Sequence, residues 1–166
     1  MSLSEIHLRE ATDTDAPGMA VVQNAIFAAG LRRDPVTEAL IRARYLDQPG
    51  RICCTLAVRG DVVLGFQSLS LAAEGNEYGV MPGWGIIGTH IRPDAGRSGL
   101  GRRLFARSLV AAQAAGLAHI DASIGADNAP ALAFYRAIGF VPYRSMPGRL
   151  PHRFDLCPLH AARLNH

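Results

Sequence analysis

The chain has 166 residues, 49% of them hydrophobic and 19% charged, a balance that fits one folded domain over residues 1–166 and excludes a disordered chain. No run of about 18 apolar residues occurs, and the N-terminus "MSLSEIHLRE" lacks the layout of a signal peptide, so the expectation is a cytoplasmic protein with no membrane partner. The formal charge is +3, every one of the 17 Lys+Arg positions is arginine, and no basic stripe interleaves with aromatics, so nucleic acid is not an expected partner. Cys53 and Cys54 are adjacent in an apolar run and read as buried thiols, and no Cys/His spacing suggests a metal site.

Ile6 and Leu8 alternate with His7 and Arg9 as in a short strand. A helix is expected from near Asp15, capped by Asp13 or Thr14 and ended by Gly30. A second helix follows with Asp34 as cap, Pro35 in the first turn and Pro49-Gly50 as stop. "RICCTLAVRGDVVLGFQSLSLA" reads as two strands joined at Gly60-Asp61, "EGNEYG" as a turn, and "GWGIIGTHIRP" as a glycine-rich strand. Leu100, Leu104, Leu109 and Ala112 mark a helix over 100–115 that stops at Gly116. "LAHIDASIG" is a strand. "DNAPALAFYRAIG" is a helix with Asp127 or Asn128 as cap, Pro130 in its first turn and Gly139 at its end. "FVPYRS" and "PHRFDLCPL" are closing strands, the first an edge or bulged strand because of Pro142. This order, β-α-α-β-β-β-α-β-α-β-β, implies a mixed α/β fold whose central sheet carries helices on both faces.

"RPDAGRSGLGRRLF", residues 92–105, concentrates Gly96, Gly99 and Gly101 with Arg92, Arg97, Arg102 and Arg103 just before the third helix. A solvated basic face would explain the arginines, and so would a phosphate-bearing small molecule. A P-loop fits poorly, because Arg102 and Arg103 stand where that motif needs its lysine and hydroxyl. A dinucleotide fingerprint lacks its third glycine and its leading βαβ strand. The pattern [QR]xxGx[GA] between a strand and a long helix fits residues 96–101 with one departure, at Gly96. Its physics is a helix N-terminus whose unpaired N–H groups and positive dipole end receive an anion.

With the second motif, "NAPALAFYRAIGF", this loop makes the chain resemble the GNAT superfamily of N-acetyltransferases, strongly over residues 84–141 and weakly before residue 50. The resemblance implies a central mixed, largely antiparallel sheet that splays between the fourth strand and the fifth, residues 118–124. It implies acetyl-CoA as co-substrate and no metal. Backbone groups of Thr89, His90 and Ile91 would pair with the pantetheine arm and point an N–H at the thioester carbonyl. The N–H groups of Arg97, Ser98, Gly99, Leu100, Gly101 and Arg102 would wrap the pyrophosphate. Asn128 would contact the pantetheine region, and Tyr135 would lie near the sulfur. The family usually has Gln or Arg where Gly96 stands, and Arg97 follows one place later. Asn128 also reads as a plain helix cap, and Tyr135 as a core aromatic.

Acetyl transfer to an amine needs a neutral amine, donors for an oxyanion and a proton for the leaving thiolate. The N–H near Ile91 suits the second role and the Tyr135 hydroxyl the third, as general acid. The early fourth strand, "GWGII", offers no base. His90 and Glu77 are candidates, beside a water relay; His119 and Asp121 lie on the fifth strand. The expected reaction is direct attack on acetyl-CoA, in a ternary complex, by a primary amine of a small metabolite. A protein N-terminus or lysine as acceptor, and a non-catalytic acyl-CoA-binding module, are the alternatives. Arg144, Arg149, His152 and Arg153 make the closing segment basic, as an anionic acceptor or a solvated edge would both explain. A homodimer is left open.

Overall fold

The computed structural model describes residues 5–96 and 98–156. In chain order the elements are β1 (Ile6–Glu10), α1 (Ala16–Ala28), α2 (Glu38–Ile41), β2 (Arg51–Arg59), β3 (Val62–Leu71), β4 (Gly85–Ile91), α3 (Leu100–Ala114), β5 (His119–Gly125), α4 (Ala129–Ala137), β6 (Val141–Pro142) and β7 (Arg149–Asp155). The strands form one sheet in the order β1-β2-β3-β4-β5-β7-β6. Neighbours are antiparallel except β4 and β5, which run parallel.

That parallel pair is in register at two positions only, Gly85 with Ile120 and Ile86 with Asp121. Beyond them β4 continues to Ile91 and β5 to Gly125 without pairing, so the two edges part into a fork. Gly85 stands where the strands close: a Cβ there would meet Leu117 at 2.9 Å and Leu69 at 3.0 Å.

Strand alternation sends apolar residues to both faces. On one face Cys54, Leu56, Val58 and Phe66 pack with Met19, Val22 and Ile41 from the first two helices. On the other, Leu69, Ile87, Ile120, Ala122 and Ile124 pack with Phe105, Ala112, Tyr135 and Phe140, and Ala57 and Leu64 pack with Leu100 and Leu104. Each fully buried Val, Leu, Ile, Phe or Met side chain among these contributes roughly 1.5–3 kcal/mol of transfer free energy.

Three boundaries differ from the sequence reading. Thr12, not Asp13 or Thr14, caps the first helical turn; its N–H donates to Asp15 Oδ2 at 2.7 Å, and Arg9 clamps the same carboxylate. The second helix starts at Glu38 with Thr37 as cap, not at Asp34. Asn24 is the reason: it donates to the Val36 carbonyl and accepts from the Val36 N–H, which takes both backbone groups out of any helix. The helix then widens into a π-helical turn, Arg42–Leu46. The closing strands are unequal, two residues in β6 and seven in β7, which begins at Arg149 rather than Pro151. Pro142 has no N–H to extend the ladder, and β6 is the sheet edge. Residues 157–159 of the expected last strand lie outside the described residues.

Candidate active site

The fork faces the N-terminus of α3. Gly99 occupies the cap position in a left-handed conformation, φ 76°, and no side chain caps the helix. The first intrahelical bond there is from the Arg103 N–H to the Gly99 carbonyl, so the N–H groups just before it have no partner within the helix. Uncapped donors at a 15-residue helix, beside the unpaired edge of β4, fit an anion on one side and amide groups on the other. Among the described residues of the arginine cluster, most side chains are committed. Arg92 pairs with Asp94 at 3.2 Å, Arg103 donates to the Ile6 carbonyl and Arg107 to that of Leu8. Arg102 is exposed at the helix start and makes no hydrogen bond to a described residue. Arg97 lies outside the described residues.

The three glycines of the loop have different jobs. Gly99 is required by its positive φ, and the space beside it is open. Gly101 is buried, and a Cβ there would strike the Phe134 ring at 2.6 Å. Its lack of a side chain thus lets α3 approach α4. Gly96 is extended, φ −66° and ψ 159°, and a side chain would meet only the Pro93 carbonyl at 3.5 Å.

Inside the fork, Thr89 and Tyr135 meet. Their hydroxyls are 2.8 Å apart, and Gln67 on β3 donates to Thr89 Oγ1 at 2.9 Å. Tyr135 is 5% exposed and packs against Phe134 and Phe140. Burial pushes its phenol up to about 12; the Thr89 hydrogen bond opposes this and the charge of Asp121 adds to it. Tyr135 is therefore protonated at neutral pH. Asn128 caps α4, its Oδ1 accepting from the Ala131 N–H at 3.2 Å. Its Nδ2 makes no hydrogen bond to a described residue.

His90 turns to the opposite face. Its ring lies 4.8 Å from Phe66 and its Nε2 is 3.3 Å from Tyr45 Oη, which in turn accepts from Gln23 Nε2 at 2.8 Å. Burial lowers the imidazole to about 3, with Arg32 and Arg44 adding to the effect. Glu77 is exposed in the turn before β4. The backbone of Thr89, His90 and Ile91 pairs with β3 on one side and is open toward β5 on the other.

Sequence reasoning had Asp121 and His119 on the fifth strand but not their partners. Asp121 is fully buried, accepts from Ser123 Oγ at 2.8 Å and from the Tyr143 hydroxyl, and has Arg144 at 3.6 Å. Its signal was a carboxylate inside an apolar strand, which burial makes costly unless it is satisfied. The basic closing segment is largely committed inward. Arg144 donates to the Tyr78 carbonyl, Arg149 to that of Ser123, Arg153 lies 3.4 Å from Asp155, and His152 is buried against Arg136. Among the described residues, no group of three or more His, Cys, Asp or Glu could hold a metal ion, and no helix is long and apolar enough to cross a membrane.

Known proteins share this fold. No curated protein matches the chain. Solved structures with the same fold include a GCN5-related N-acetyltransferase from Kribbella flavida (22% identity, 91% of this chain and 98% of that one, TM-score 0.74). They include an N-acetyltransferase from Thermoplasma acidophilum in complex with coenzyme A (14% identity, 92% and 99%, TM-score 0.72). A ribosomal-protein-alanine N-acetyltransferase from Brucella melitensis also matches (22% identity, 90% and 99%, TM-score 0.69). The model of the acetyltransferase (GNAT) family matches residues 19–140, which take in the fork, the α3 loop and the Asn128–Tyr135 helix. The chain belongs to the GNAT acetyltransferase family and is an acetyl-CoA-dependent N-acetyltransferase.

Proposed function

We propose that the acceptor is a primary amine on a small molecule, that it attacks directly while both substrates are bound, and that Tyr135 is the general acid. The observation that carries this is the Tyr135–Thr89 hydroxyl pair, 2.8 Å apart beside the open edge of β4. Acetyl-CoA supplies the acetyl group already activated as a thioester. The N–H groups from Ser98 to Arg102 hold its phosphates, with Arg102 adding charge. The free edge at Thr89, His90 and Ile91 holds its amide-bearing arm, and Asn128 Nδ2 is a further donor. Tyr135 keeps its proton at neutral pH, so it has one to give to the departing sulfur, and the Thr89 hydroxyl can then donate to the phenolate. His90 is a poor proton holder, since its imidazole is lowered to about 3 and its Nε2 is engaged by Tyr45. Glu77 stands exposed in its turn, so neither residue is assigned the acceptor's proton.

A small acceptor is supported by a surface pocket of about 380 Å³ lined by Asn76, Val80, Met81, Trp84, Tyr143 and Arg144, a size in the ordinary range for small-ligand sites. Trp84 leads directly into β4, and Tyr143 bonds to Asp121 at the base of the fork. The test is release of free CoA from acetyl-CoA across a panel of small amines, peptide N-termini and lysine peptides. Turnover of small primary amines is expected. Turnover restricted to peptides overturns the small-molecule reading, and tight CoA binding without any turnover makes the chain a binding module.

A further inference from the structure

We propose that Asp121 and Tyr143 form the proton relay for the acceptor amine, an inference that rests on the small-amine reading above. Asp121 sits at the last registered pair of the β4–β5 ladder, opposite Ile86, where the fork begins. Ile120, Ala122 and Ile124 belong to the core under α3 and α4, so Asp121 and Ser123 project from the other face of β5. The carboxylate has no exposed surface. Its connection outward is Tyr143, whose hydroxyl donates to Asp121 Oδ2 while its ring is partly exposed on the wall of the 380 Å³ pocket. Trp84 lies 5.4 Å from that ring and completes an aromatic wall.

The groups around the carboxylate are few. Ser123 donates to Oδ1 from the same strand, Arg144 Nη2 lies 3.6 Å from Oδ2, and Arg144 Nε donates to Tyr143 Oη at 3.0 Å, leaving that oxygen one further lone pair for the amine. Arg153 is the cross-strand partner on β7; its Nε lies 3.4 Å from Asp155 and its guanidinium carbon 5.9 Å from the centre of the Tyr143 ring. His119, two residues earlier on β5, pairs with Asp155 at 2.7 Å and stacks on Trp84. On the other side of the sheet, the charge of Asp121 reaches Tyr135 and raises its phenol. The two tyrosines are thus suited to opposite tasks. Tyr135 has no carboxylate bonded to it and keeps a proton for the leaving group. Tyr143 has a carboxylate to pass a proton to.

The step balances without any outside reagent. One N–H bond of the ammonium breaks as an O–H bond forms at Tyr143 Oη, and the proton Tyr143 already holds moves to Asp121 Oδ2. Ammonium and carboxylate become amine and carboxylic acid, and the phenol is unchanged. Burial pushes the Tyr143 phenol up to about 12, with the Asp121 hydrogen bond adding to it and Arg144 opposing it, so the residue relays a proton without staying ionised.

The test uses Asp121→Asn and Tyr143→Phe, the second of which keeps the ring against Trp84 should the first fail to fold. Two acceptors are compared, one protonated at the assay pH and one weakly basic and neutral there. For the protonated amine kcat/KM is expected to fall roughly 10²–10⁴-fold, and for the neutral amine by less than about threefold. The second readout is the pH profile. For the protonated amine, kcat/KM is expected to depend weakly on pH in the parent, and in both variants to rise with pH along the ionisation of the free amine. Equal losses with both amines, or the same pH dependence in parent and variants, overturn the relay and leave Asp121 a structural ion pair. A parent that releases no free CoA with any amine instead overturns the acceptor reading itself.

Discussion

Tyr135 offers the cleanest separation of binding from chemistry. Tyr135→Phe keeps the ring against Phe134 and Phe140, so CoA affinity by calorimetry is expected to stay within about twofold, while kcat falls roughly ten- to a thousandfold. The loss is expected to be smaller for an acyl donor whose thiol is more acidic, because that leaving group needs less help. Equal losses for both donors, or none where chemistry limits the rate, would remove Tyr135 as the acid. The loop glycines separate in the same way. Gly96→Gln restores the usual family residue at an extended position with room beside it, and is expected to tighten CoA binding severalfold without loss of thermal stability. Gly101→Ala is expected to destabilise the fold by roughly 1–3 kcal/mol through the Phe134 ring, whatever it does to binding. His90 gives a pH prediction. Its folded value of about 3 lies below the ordinary 6.5, so below 6.5 the unfolded chain binds a proton that the folded chain does not. Stability gained from this difference is complete above about 6.5 and is lost as pH falls toward 3, with a slope approaching about 1.4 kcal/mol per pH unit. Denaturant melts should show a shallower acid slope for His90→Gln.

At the scale of elements, α4 combines a cap and a candidate ligand contact in one side chain. Asn128→Ser keeps a capping oxygen and removes the amide donor, so stability should hold within about 0.5 kcal/mol while CoA affinity drops; Asn128→Ala should lose about 1 kcal/mol as well. Chemical denaturation beside calorimetry reads the two effects apart. This helix was legible because its signals are local: Asn128, Pro130 and Gly139 stand at its cap, first turn and end. The Gly60-Asp61 hairpin was legible for the same reason. The second helix was misjudged because Asp34-Pro35 is a good start signal that a distant side chain overrides: Asn24, in α1, holds the Val36 backbone. In the site, Thr89 and Tyr135 could be named separately from the two motifs, but not as a 2.8 Å pair, since their meeting depends on how α4 docks under β4. Asp121 was visible on its strand. Tyr143 was not linked to it, because that bond crosses from β5 to the segment between β6 and β7, and single-sequence periodicity carries no such pairing.

For the whole molecule, the fork and the charge distribution act together. Two registered pairs hold β4 to β5, so the two halves of the sheet are joined there by few main-chain bonds. A ligand lying along both open edges adds bonds across that gap and binds the folded chain alone. At a CoA concentration near 100 times Kd this linkage is worth about 2.7 kcal/mol, which for a chain of this size raises Tm by roughly 5–10 °C. The arginines decide how that binding responds to salt. Arg9, Arg51 and Arg92 are paired with carboxylates, and Arg103 and Arg107 are tied to carbonyls of β1. Arg102, exposed at the start of α3, keeps its charge where the phosphates would lie. CoA affinity is therefore expected to weaken as salt rises, and Arg102→Ala to flatten that dependence while Arg107→Ala leaves it nearly unchanged. Calorimetric titrations at several ionic strengths measure both slopes. Identical slopes for the Arg102 variant and the parent would make Arg102 part of a solvated helix face and leave the uncapped N–H groups of α3 as the anion site by themselves.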